Sequence, residues 1–186
     1  MVFKNRIIFL FLRKLKQESE AHMKRNLLLL LIGALVVFGC NQAKEEKVDI
    51  KKERDAIKLV LEKYAIANEN QDMAMIEEIW CPSERIISFG TASGEKLVGW
   101  AEIKQAVETQ FSQFSNTFIS YRDQIIEVNE AGNTAWFSEI INYNFIRDGE
   151  AHSYEGLRYS GVLVKKDGKW KLVQTHMSVP EAPDEI

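Results

Sequence analysis

The chain has 186 residues, 46% of them hydrophobic, and carries 27 Asp/Glu against 24 Lys/Arg. That length supports a sizeable core, and the acid surplus argues against a phosphate backbone as partner, so nucleic acid is set aside. Two cysteines and three scattered histidines, His22, His152 and His176, offer no disulfide framework and no metal-ligand spacing, and neither a metal nor a cofactor is expected.

Residues 1–22 hold an apolar patch, Ile7 to Leu12, flanked by five Lys/Arg, and read as a misassigned start or an extended basic region. Met23-Lys24-Arg25-Asn26 then opens a second basic start, followed by twelve apolar or small residues from Leu27 to Phe38. A bilayer-spanning helix needs about 20, so this run reads as the core of a signal peptide over 23–39. Val37-Phe38-Gly39-Cys40 resembles the lipobox of bacterial lipoproteins, which implies lipidation at Cys40, cleavage before it, and work outside the cytoplasm. Phe38 departs from that family's preference for a small or aliphatic residue. An uncleaved interfacial helix is the alternative. Asn41, in place of the Asp associated with inner-membrane retention in some enteric bacteria, points to the outer membrane of a Gram-negative cell, with surface exposure left open.

Residues 1–39 contain seven Lys/Arg and two Asp/Glu, so the chain from Cys40 onward has 17 basic and 25 acidic residues, a net of −8. Its first stretch, 40–52, is a charged tether. Ile57, Val60, Leu61, Tyr64 and Ala65 recur at helical spacing and predict a helix over about 51–70. Asp72 caps a second, shorter helix carrying Met73, Ile76, Ile79 and Trp80, which Pro82 closes. Cys81 beside it reads as a buried, inert thiol. Arg85 to Phe89 predicts a strand, and Gly99-Trp100 opens a third helix. The period changes after Asn116. Phe118–Val128, Thr134–Arg147, Ala151–Lys166 and Lys169–Val179 alternate as antiparallel strands, joined by Ala131-Gly132-Asn133, Asp148-Gly149 and Asp167-Gly168. The expectation is an α+β domain over 53–180, an antiparallel sheet with its helices on one face, and an acidic tail over 181–186.

Three stretches in order, ERDAIKLVLEKYAIANENQDMAMI, VGWAEIKQAVETQF and VLVKKDGKWKLVQTHMSVP, resemble SnoaL-like domains. The resemblance implies the nuclear-transport-factor-2-like cone, a curved antiparallel sheet wrapped around three N-terminal helices with a pocket at the wide end. Its members include ketosteroid isomerase, polyketide cyclases, dehydratases and non-enzymatic binding or oligomerisation domains. Carried over by position, the isomerase tyrosine falls on Tyr64. Its catalytic base falls at or beside Ser88 and its oxyanion Asp near Ser160-Gly161-Val162, and neither carboxylate is present.

The pocket candidates are Tyr64, Trp80, Ser88, Phe89, Tyr143, Arg158 and His176, with His176, Glu139 and Tyr143 as candidates for any proton transfer. Strict alternation from Trp170 and Leu172 would turn His176 inward, as a ligand contact, a catalytic group or a satisfied structural histidine. Arg158 and Glu139 read either as a cross-strand ion pair or as ligand contacts. The leading expectation is a lipid-anchored domain that binds a small, largely apolar molecule or an envelope partner without catalysis, as a homodimer. An isomerase, cyclase or dehydratase using His176 with Glu139 or Tyr143, and a structural dimerisation module, are the alternatives.

Overall fold

The computed structural model describes residues 47–181. Cys40, the leader, the first part of the tether and nearly all of the tail lie outside the described residues.

Helix α1, Ile50–Asn70, starts where the Asp49 carboxylate accepts the Lys52 N–H and ends at Gln71, which takes left-handed geometry at φ 56°. Its buried stripe runs Glu53, Ile57, Leu61, Ala65 and Asn68, the near-fourfold spacing of a face packed on a sheet. Asp72 caps α2, Met73–Ile79, and Trp80 then turns extended. Trp80 bridges in parallel to Leu172, whose carbonyl also accepts the Cys81 N–H at 2.9 Å. Trp80 and Cys81 are thereby anchored to the sheet, and both are buried.

Strands β1, Ile87–Phe89, and β2, Lys96–Val98, form a short hairpin before α3, Trp100–Gln113. Gly99 caps α3 at φ 83°, a conformation that a side chain would strain, and a Cβ there would meet the Glu84 carboxylate at 2.9 Å. The four long strands follow: β3, Phe114–Val128; β4, Thr134–Arg147; β5, Glu150–Lys166; and β6, Lys169–Ser178.

The sheet order is β2-β1-β6-β5-β4-β3. The architecture is α+β as expected, but the sheet is mixed, because β1 runs parallel to β6. Sequence reading also passed over β2, whose three residues, with Leu97 partly buried between exposed Lys96 and Val98, are too few to establish a period. Register shifts interrupt every pairing among β3 to β6, with Asn116 and Asp123 at positive φ inside β3. Each adds a residue on one strand and bends it, so the sheet curls around the helices.

Ile57, Ile76, Ile79, Ile103, Ile141, Leu157, Leu163 and Leu172 are fully buried between helices and concave face. Each such side chain stabilises the fold by about 1.5–3 kcal/mol relative to exposure.

Candidate functional site

Between α1, α3, the β1–β2 hairpin and the concave face of β5 and β6 lies a cavity of about 580 Å³. Alternation along β5 puts Leu157, Tyr159 and Leu163 inside, so Tyr159 forms part of the wall while Arg158 between them is exposed. The Tyr159 ring stacks on Tyr64 of α1 at 5.2 Å and meets Phe137 edge-on at 5.1 Å. Burial pushes the Tyr64 phenol up to about 12 and that of Tyr159 well above its ordinary range, with Glu139 adding to both. Both hydroxyls are therefore held protonated near neutral pH.

Two wall residues carry covered polar atoms without a hydrogen-bond partner, Trp80 Nε1 and Tyr159 Oη. Leaving such a group unpaired costs about 1–3 kcal/mol. Nearby, the Ser88 and Thr175 hydroxyls are 2.9 Å apart across β1 and β6. Gln110 of α3 borders the cavity and donates to Tyr143 Oη at 2.7 Å and to Asn68 Oδ1 at 3.1 Å, tying α1, α3 and β4 together.

Of the residues picked from sequence, Tyr64, Trp80, Ser88 and Phe89 line the cavity. Tyr143 does not. It is buried behind the wall in the Gln110–Asn68 network, where burial raises its phenol. His176 is exposed on the convex face, its ring edge-on to Phe89 at 5.9 Å. The inward orientation expected for it fails at a β-bulge: Val162 pairs with Gln174 and Leu163 with Leu172, leaving Val173 as an extra residue. Past the bulge, the side chains facing inward are Thr175 and Met177, and both line the cavity.

Glu139 faces inward with Phe137 and Ile141, whereas Arg158 faces outward, so the expected cross-strand ion pair does not form. The Glu139 carboxylate accepts from Gln124 Nε2 at 2.7 Å, and desolvation raises it above the ordinary carboxylate range. Arg158 is not part of the cavity either. The wall residues that sequence reasoning missed include Tyr159, Thr175 and Gln110. Alternation of Leu157, Tyr159 and Leu163 was a usable signal for the first, and the bulge hid the second.

The SnoaL-like domain family matches residues 57–182, about two thirds of the chain. The chain belongs to that family. A nuclear transport factor 2-like superfamily protein from Salmonella enterica serovar Typhimurium LT2 superposes with a TM-score of 0.65 at 18% identity, covering 73% of this chain and 96% of that one. A proposed dehydratase of the same fold family from Streptomyces avermitilis gives 0.64 at 16% identity, over 71% of this chain and 99% of its own. A proposed scytalone dehydratase from Novosphingobium aromaticivorans gives 0.62 at 16%, over 72% and 88%. Comparison with curated proteins returns no match. At these identities the structural likeness shows the fold of the SnoaL-like domain, and its site rests on the side chains described above.

Among the described residues, no group of His, Cys, Asp and Glu is placed to hold a metal ion, and no helix is long and apolar enough to cross a membrane.

Proposed function

We propose that this SnoaL-like domain binds a small, largely apolar molecule in its cavity without turning it over, tethered outside the cytoplasm by a lipid on Cys40. The observation that carries the binding reading is a cavity of about 580 Å³ walled by Tyr64, Trp80, Phe114 and Tyr159. That volume falls within the range of about 300–1,000 Å³ typical of small-molecule sites.

Two features support binding without catalysis. The two tyrosines of the wall hold their protons well past neutral pH, so neither is suited to act as a base. The acid–base pairing of His176 with Glu139 or Tyr143 requires contact within about 3 Å or through one water, and His176 stands on the opposite face of the sheet from both. We drop that enzyme reading. The neighbours named as dehydratases share the fold at low identity and lend no site residue.

Membrane anchoring rests on the basic start, the short apolar run and the lipobox-like Val37-Phe38-Gly39-Cys40. A homodimer is supported by the convex face, where Phe118, Ile125 and Trp136 are 60%, 60% and 51% exposed on neighbouring strands. A second copy of the same face would cover them, and an envelope partner is the other occupant.

Native mass spectrometry of the full chain, expressed with its leader and released in detergent, tests the reading. We expect an acylated amino terminus at Cys40 and a co-purifying small molecule that Ala106→Trp abolishes. A non-acylated chain beginning upstream of Cys40 would overturn the anchor, and consumption of the bound molecule by the protein would overturn the non-catalytic reading.

A further inference from the structure

On the reading that the cavity takes a ligand, its wall also speaks to that ligand's charge. Four aromatic side chains, Tyr64, Trp80, Phe114 and Tyr159, contribute to it, and among the described residues the charged ones lining it are Glu95 and Glu102.

Both carboxylates are placed by backbone. Glu95 Oε2 accepts the Ala92 N–H at 3.1 Å and folds back over Gly90, where a Cβ would lie 1.9 Å from the same oxygen. Glu102 Oε2 accepts the Val98 N–H at 2.8 Å across the start of α3. A third carboxylate, Glu139, lies behind the wall, and Glu139 and Glu95 both act to keep the Tyr64 phenol protonated. The negative field of these groups therefore reaches the inner wall.

The cations of the same elements point elsewhere. Lys96 pairs opposite Phe89 and lies out of strand phase with Leu97, the wall residue of β2. Lys104 of α3 is bonded to Glu77 at 2.6 Å, and Arg158 is on the convex face.

We propose that the cavity selects an apolar molecule bearing a protonated amine over the same skeleton bearing a carboxylate. Aromatic faces attract a cation, and two carboxylates at the mouth complement its charge. The same groups repel an anion that would have to shed water to enter, with no positive side chain on the wall to receive it. Glu95 and Glu102 are solvent-exposed, so added salt shrinks the margin.

The test is calorimetric titration of the full chain at low salt with 1-naphthylmethylamine, 1-naphthalenemethanol and 1-naphthoate. It is repeated on a Glu95→Gln, Glu102→Gln double variant, which keeps both backbone acceptors. We expect the amine to bind roughly tenfold tighter than the carboxylate, with the alcohol between, and the double variant to narrow that gap at least about threefold. A carboxylate that binds as tightly as the amine, or a gap unchanged in the double variant, would overturn the charge preference while leaving the cavity reading intact. Failure of all three probes to bind would overturn the binding reading itself.

Discussion

The Ser88 hydroxyl stands 2.9 Å from that of Thr175 across the parallel pairing of β1 with β6, and this contact marks the face of β6 that looks into the cavity. Thr175 is 3% exposed while its neighbour His176 is open to solvent. Thr175→Val should leave the Ser88 hydroxyl unpaired, lower stability by about 1 kcal/mol and weaken ligand binding. His176→Ala should cost less than about 0.5 kcal/mol and leave binding unchanged. Thermal denaturation and ligand titration of the two variants check this, and the opposite ranking would mean that the bulge is misplaced.

This pair also shows where sequence reading succeeds and stops. The α1 stripe through Ile57, Leu61 and Ala65 and the cap at Asp72 rest on local spacing, and helices form there. The bounds of β4, Thr134–Arg147, were legible from alternation and turn residues alone. A bulge, by contrast, is a fact about the partner strand. Nothing in Trp170 to His176 announces that Val173 is skipped, so the inward set changes from Trp170 and Leu172 to Thr175 and Met177 unseen. Tyr159 was legible from β5 alternation. The β1–β6 parallel pairing depends on a long connection and was not.

Gly161 sits beside the same bulge. A Cβ there would lie 2.4 Å from the Gln174 carbonyl and 2.7 Å from the Phe137 ring. Since the carbonyl is backbone, Gly161→Ala must push β6 away, and we expect a loss of about 1–3 kcal/mol in urea unfolding.

Glu53 accepts from Lys165 Nζ at 2.7 Å and from the buried Trp170 indole at 2.8 Å, joining α1 to the β5–β6 hairpin. The lysine bond, aided by the indole, holds its carboxyl below the ordinary value of 4.5. A depressed folded value means that this stabilisation is present above the unfolded value and lost as pH falls through the folded one. Glu53→Ala should therefore cost about 2–4 kcal/mol near neutral pH, and the deficit should shrink in denaturation curves taken at about pH 3.

Glu139 has the opposite sign. Desolvation raises its folded value above 4.5, so the native state binds the proton more tightly and stability falls as pH rises through the window between the two values. Glu139→Gln keeps an acceptor for Gln124 and removes the buried charge. The variant should be more stable than the parent at neutral pH, with the gain disappearing below the ordinary carboxylate range. Unfolding free energies measured across pH check both the gain and its window.

The central claim is that the cavity bordered by Trp80 and Tyr159 is where a ligand sits. Ala106 of α3 lines it opposite the sheet, and Ala106→Trp fills that space with an indole. Titration of 1-naphthalenemethanol into parent and variant is the most direct test. The account predicts saturable binding to the parent, weakened roughly tenfold or more in the variant while the folded state persists. Equal affinity in both proteins would place the ligand elsewhere and contradict it.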